Sequence, residues 1–302
     1  MAANLIHKYV WLVNTIHRAR LISLEDINRE WLESDIGDGK PLPRRTFHVW
    51  QAAILDIFGL IIENENKGQY RYYIANEEEL RLGTMSNWLL DSLTVSGMLA
   101  SSRHIQNRIL LEQVPSARDY LGVVVEAMRH NYKIVLTYQT YSQTEPKVRT
   151  VMPFCLKIFK QRWYMLAQRE DKEKPSIYSL DRVKDMQLLR KETFVLPKNF
   201  DAESYFAPYY GIIADESVER AKVKLRVSPL QAKYLRALPL HHSQQEMAEE
   251  AEACVFCYNL RPAFDFVQEI LSHGSEMEVL KPLWLREKIA AIIKEENNIY
   301  NG

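Results

Sequence analysis

The chain predicts an α+β architecture in several domains, and three observations carry that prediction. Residues 1–75 hold three helix-period segments followed by two short β-runs. From Tyr132 the texture switches to short alternating strands. Beyond Arg220 the apolar patterns read strand, helix, strand, strand, helix, strand, helix. A length of 302 residues is long for one core, which agrees with the division.

Leu5, Tyr9, Leu12 and Ile16 lie one turn apart over 4–18, as an amphipathic helix requires. Ser23-Leu-Glu-Asp26 fits a capping box for a second helix reaching about Glu33. The Gly-, Asp- and Pro-rich stretch 34–43 breaks it. A third helix is expected over 44–58, with Phe47, Trp50, Ile54 and Phe58 facing the core and Gly59 as its left-handed cap. The runs 60–63 and 69–74 form a hairpin around 64–68.

Three helices and a hairpin make a winged helix-turn-helix, whose third helix enters the major groove of duplex DNA while the hairpin is the wing. On the helical wheel Arg45, His48, Val49 and Ala52 oppose the core stripe, and Arg44 stands at the N-terminal tip. Gln51 is nearer the core face, Lys67 sits in the wing turn and Arg71 on the return strand. With Thr46, the duplex-contact candidates are Arg44, Arg45, Thr46, His48, Gln51, Lys67 and Arg71. Two cations at a helix start oppose its dipole, which favours a phosphate or base partner over plain solvation.

Residues 76–117 read as a helical connector, with helix patterns over 77–93 and again from 116 to 131 after Pro115. Five short strands follow, 133–138, 148–159, 163–168, 176–180 and 184–189, and suggest a small barrel. Pro153 is expected at an edge-compatible position. In the C-terminal third, 220–227 alternates, Ser228-Pro-Leu-Gln-Ala opens a helix, and 243–249 with 252–260 forms a hairpin. Helix 263–272, strand 274–280 and helix 284–296 complete a ferredoxin-like layer with one added helix.

Hydrophobic content of 47% and charged content of 26% fit a soluble globular protein, and three cysteines fit a reducing cytoplasm. No apolar run nears the roughly 20 residues that span a bilayer. The first twenty residues mix His7, Lys8, His17 and Arg18 with apolar positions, a helix pattern and not a signal peptide. Net charge is zero, yet residues 129–191 carry 14 Lys and Arg against 6 Asp and Glu. Such a local surplus marks an anion-binding surface better than overall charge does. No phosphate-cradling loop, nucleophile elbow or zinc-protease motif is present, so neither catalysis nor a cofactor is expected. Cys254 and Cys257 have metal-knuckle spacing but no second pair near them, and in one strand they point to opposite faces. His241-His242 is a lone doublet in a loop before the hairpin.

The segment 149–183 sets arginines beside aromatics: Arg149-Thr-Val-Met-Pro153, Gln161-Arg-Trp-Tyr-Met-Leu166 and Tyr178-Ser-Leu-Asp-Arg-Val183. Long cations in strands are disfavoured unless a partner offsets their desolvation. A guanidinium fork suits phosphate or carboxylate, and Tyr138, Tyr141, Trp163 and Tyr178 offer stacking faces for a base. Trp163 and Tyr164 alternate, so one faces the core and the other a pocket or interface.

These pieces resemble the WYL-domain family of bacterial regulators, whose tripeptide stands here as Trp163-Tyr164-Met165, over roughly 118–190. The resemblance implies an Sm-like, SH3-type barrel that senses a ligand for a DNA-binding module on the same chain, followed by a C-terminal extension. It implies a ligand-facing set of Tyr138, Ser142, Arg149 and Arg182, while a further family arginine is replaced here by Ser176, with Lys172 and Lys174 near it. The ligand-binding candidates are therefore Tyr138, Ser142, Arg149, Arg162, Trp163, Tyr164 and Arg182.

The expected division is 1–75 reader, 76–117 connector, 118–191 sensor and 192–302 extension. The expected function is a cytoplasmic transcriptional regulator, homodimeric on a double-stranded operator, whose effector is a nucleotide or short single-stranded nucleic acid. An accessory of phage defence or DNA repair, binding nucleic acid without promoter control, is the alternative.

Overall fold

The computed structural model describes residues 2–34, 36–37, 39–65, 70–81, 84–101, 108, 118–250 and 253–302. The chain divides into two compact units, Met1–Glu112 and Gln113–Gly302.

The N-terminal unit opens with α1 (Ala2–Ala19), α2 (Leu24–Glu33) and α3 (Arg44–Phe58), followed by β1 (Ile62–Asn64) and β2 (Tyr72–Ile74). Ser23 caps α2 by accepting from the Asp26 amide at 3.1 Å. Gly59 ends α3 at φ 66°, where a side chain would be strained, and its N–H bonds the Leu55 carbonyl. Phe47, Trp50, Ile54 and Phe58 are buried as one stripe. Trp31 sits edge-on between Trp11 and Trp50, with centroids 5.0 and 5.4 Å away. Each such side chain contributes roughly 1.5–3 kcal/mol through burial.

The stretch 77–93 is not one helix. Glu77–Leu80 forms a 3-10 turn, and α4 (Met85–Ser101) starts afresh where the Thr84 hydroxyl accepts from the Asn87 amide at 3.2 Å. A threonine cap satisfies helix-start donors and so restarts a helix that periodicity alone would draw through. α4 then packs Leu90 into the same core as α1 and α3.

The second unit begins with α5 (Arg118–His130), then β3 (Tyr132–Tyr138), β4 (Lys147–Phe159), β5 (Arg162–Arg169), β6 (Ser176–Ser179) and β7 (Val183–Thr193). These strands form one antiparallel sheet in the order β6-β5-β4-β3-β7. β4 pairs β3 over Lys147–Val151 and β5 over Val151–Phe159. Pro153 therefore lies in an interior strand, not an edge. It is tolerated because pairing with β3 ends at Val151 and the β5 register breaks between Pro153 and Cys155. α5 covers the sheet with Val124 and Ala127 against Ile134, Leu136 and Met165.

β8 (Ala221–Val227), α7 (Pro229–Ala237), β9 (Gln245–Glu250), β10 (Ala253–Leu260), α8 (Phe264–Ser272), β11 (Met277–Lys281) and α9 (Leu283–Asn301) close the chain. The sheet order β11-β8-β10-β9, antiparallel throughout, is the ferredoxin-like one that the element order predicts. Cys254 packs in this core, Cys257 is half-buried and both are free thiols. Among the described residues no His, Cys, Asp and Glu cluster suits a metal, and no helix is long and apolar enough to cross a membrane.

Between the two sheets runs a strap with one short helix, α6 (Ala202–Phe206), capped by Asp201 on the Ser204 amide at 2.7 Å. Lys157 Nζ donates to the Gly211 carbonyl at 2.7 Å, and Asp265 Oδ2 accepts from the Ile212 and Ile213 amides at 2.9 and 3.1 Å. A Cβ on Gly211 would stand 2.5 Å from that carboxylate and 2.6 Å from Phe159 Cζ, so only glycine lets the strap lie this close.

Candidate functional site

The outer face of α3 is the first candidate surface. Arg44 and Arg45 are exposed in its first turn, with no acidic residue there and no ion pair among the described residues. Val49 and Ala52 continue the exposed strip, and Thr46 is half-buried. His48 is exposed and bonds Gln51 Oε1 through Nδ1 at 2.7 Å, while Gln51 Nε2 reaches the Ile62 carbonyl of β1 at 3.3 Å. Gln51 thus ties α3 to the hairpin. Arg71 is engaged too, its Nε 3.0 Å from Glu65 Oε2. Lys67 lies outside the described residues.

The second candidate is a cavity of about 400 Å³ in the C-terminal unit. Tyr138 at the end of β3, Tyr164 on β5, Ser176 and Ser179 on β6, and Arg182 in the turn after β6 form its sheet side. Tyr205, Ile212, Ile213 and Ala214 of the strap close it. Tyr138 is fixed by accepting the Ser179 amide at 3.2 Å and by an edge contact with Tyr178, centroids 5.2 Å apart. Burial, opposed by the Arg182 charge, raises the Tyr138 pKa. Burial also pushes Tyr205 up to about 12. Both phenols therefore stay protonated near neutral pH and can donate.

Arg182 lies 4.2 Å over the Tyr141 ring centroid, and its Nε is shut from solvent with no hydrogen-bond partner. Orphaned buried donors are rare and costly, so this one calls for an acceptor. Arg149 stands 5.9 Å over the Tyr138 ring. Asp181 does not pair with Arg182; it takes Arg162 at 3.1 Å and the Ser179 hydroxyl.

Of the sequence candidates, Tyr138, Tyr164 and Arg182 thus meet at the cavity. Arg149 supports the Tyr138 ring, Arg162 is held by Asp181, and Trp163 packs on the sheet core. Ser142 is exposed in the turn beside Thr140, 3.1 Å from its hydroxyl. The strap residues escaped the sequence reading, and the Asp201–Ser204 cap spacing was the one local signal for them.

The cationic surplus of 129–191 is partly offset in the fold. Lys133 pairs with Glu170 and Glu192, Lys160 with Glu269, Lys174 with Glu216 and Arg190 with Glu126. Four of those acids lie outside the segment. Arg149 and Arg182 keep no carboxylate partner among the described residues.

Two family models match within the second unit. The WYL domain model matches residues 119–188 and the WCX domain model residues 219–295. Among solved structures, the chain is similar to proteasome accessory factor B/C (PafBC) of Arthrobacter aurescens, at 18% identity and TM-score 0.37. That match covers 96% of this chain and 46% of PafBC, so the chain spans less than half its length. A CRISPR Cas-related protein is similar at 13% identity and TM-score 0.38, over 99% of this chain and 83% of that one. No curated protein matches. The chain thus carries a WYL domain on its five-stranded sheet and a WCX domain on its ferredoxin-like layer.

Proposed function

We propose that this protein is a DNA-binding transcriptional regulator whose WYL domain senses an anionic, base-containing ligand, a nucleotide or short single-stranded nucleic acid. One observation carries the sensor reading. Arg182 presents a guanidinium with a buried, unpartnered Nε at a cavity that also offers the rings and hydroxyls of Tyr138 and Tyr164. A cation stacked on a tyrosine and lacking a carboxylate suits a phosphate beside a planar base. The reader is the exposed face of α3, with Arg44 and Arg45 toward phosphates or guanine edges. The protein acts as a homodimer, since twofold pairing on a pseudo-palindrome is the usual route from one small reader to specificity. Regulation follows if the ligand binds the DNA-competent and incompetent states unequally.

Two measurements test this. Duplex from the gene's own upstream region should be shifted by the full chain, and Arg45→Ala should cost on the order of 1–3 kcal/mol if it reads a guanine. Mono- and oligonucleotides should raise the melting temperature of the wild type and not of Arg182→Ala. No shift by any such ligand would sink the sensor reading; a monomer mass in light scattering, alone and on DNA, would sink the dimer.

A further inference from the structure

The strap that closes the ligand pocket also walls a second cavity, of about 660 Å³. Phe206, Tyr209 and Tyr210 give it aromatic surface, and Lys157 brings an amine to it from β4. That amine is unusually placed. Its Nζ donates to the Gly211 carbonyl at 2.7 Å and lies 4.2 Å from the Phe206 centroid, and no carboxylate pairs with it among the described residues. An ammonium has three donors, and the one hydrogen bond here leaves its charge poorly compensated in a half-buried site.

Desolvation pulls the Lys157 pKa down to about 8, against the opposing charge of Asp265. His241, in the same wall, responds to the Lys157 charge in turn. A lysine in this condition holds an appreciable share of neutral, nucleophilic amine near neutral pH, which exposed lysines do not. The neutral amine can keep one N–H on Gly211 and turn its lone pair elsewhere.

We propose that Lys157 is a reactive amine that captures a small aromatic aldehyde in this cavity as an imine. The nitrogen lone pair adds to the carbonyl carbon, and the carbonyl π pair moves to oxygen, which takes a proton. The carbinolamine then loses its hydroxyl with a second proton as water, leaving a C=N bond. No oxidant or reductant enters. At most one of the three original N–H donors survives, so the bond to Gly211 becomes conditional on the adduct. Gly211 adjoins Ile212 and Ile213, which line the ligand pocket, so occupation of the second cavity would be felt in the first.

The test is reductive alkylation of the full chain at pH 8 with limiting benzaldehyde and sodium cyanoborohydride, followed by peptide mass mapping. Among lysines, Lys157 should take the benzyl group about tenfold faster than exposed Lys147 and Lys184. Its labelling rate should climb through pH 8. Lys157→Arg should lose that one label and leave the others unchanged. Label spread over the lysines in proportion to their exposure would overturn the proposal, and the wild-type map decides this even if the variant folds poorly.

Discussion

Arg182 and Lys157 both lie 4.2 Å from an aromatic ring centroid, the first over Tyr141 and the second over Phe206, on cavities that share one strap. Their chemistry then diverges. A guanidinium delocalises its charge and keeps it at any physiological pH, so in the proposed sensor Arg182 would offer an anion a fixed charge. An ammonium concentrates its charge, so similar packing pulls Lys157 down to about 8 and makes it a titratable amine. Cation-on-ring packing does not by itself set a use; the head group decides whether the site holds a charge or gives one up.

If the Lys157 cavity is the pH-sensitive one, the largest effect should come from His241 in its wall. His241 is buried, with Nε2 2.9 Å from the Ala207 carbonyl and Nδ1 accepting from the Ser243 amide at 3.2 Å, which fits the neutral ring. Burial first, and the His242 charge second, lower its pKa to about 4. The folded pKa lies below the ordinary 6.5, so between these values the unfolded chain binds a proton that the folded chain refuses. Stability is therefore full above pH 6.5 and falls as pH drops toward 4, by a total on the order of 3 kcal/mol. Urea melts at pH 7 and pH 5 should diverge for the wild type and converge for His241→Gln. Parallel behaviour of the two proteins would assign the slope to other groups.

The shared strap supplies the next effect. Gly211→Ala drives a methyl to 2.5 Å from Asp265 Oδ2, the acceptor for two strap amides, and to 2.6 Å from Phe159. Overpacking of this kind costs roughly 1–3 kcal/mol. Equilibrium unfolding should show the loss, and the nucleotide-induced shift in melting temperature should shrink with it. A variant as stable as the wild type would mean that the strap gives way, and the two cavities would lose their common wall as a link.

The strap also marks where sequence reasoning stops. α3 was readable because Phe47, Trp50, Ile54 and Phe58 recur at helical spacing and Gly59 ends them at φ 66°. The C-terminal layer was readable because element order leaves few ways to pair its strands. The strap has no such period. Lys157 lies 54 positions before Gly211, and Asp265 lies 53 after Ile212, so no local pattern announces either bond. The same limit explains the charge surplus of 129–191, part of which is met by Glu126, Glu192, Glu216 and Glu269 from outside that window. It explains Pro153 as well, since a register break that admits proline to an interior strand is a property of the partners.

Arg182→Lys isolates the head group from the charge. The ammonium keeps the sign but loses the planar fork and the fit over Tyr141, so ligand affinity should fall about tenfold, or about 1.4 kcal/mol. Titration calorimetry against the best nucleotide found for the wild type measures it. Equal affinity would show that a point charge suffices and that the orphaned Nε has no part in binding.

The smallest effect belongs to a cation that already has its partner. Arg71 on the wing side is half-buried and meets Glu65 at 3.0 Å, and both side chains keep a third or more of their surface in water. Exposed pairs of this kind are worth less than about 1 kcal/mol, so Arg71→Ala should barely alter unfolding. Duplex binding should change little as well, because the guanidinium is already committed, in contrast to Arg45, which has no such partner among the described residues. Side-by-side mobility shifts of Arg71→Ala and Arg45→Ala across a salt series make the comparison direct. An equal loss of affinity, with a slope in log salt reduced by about one for each variant, would show that DNA draws Arg71 away from Glu65 and that the wing touches phosphate.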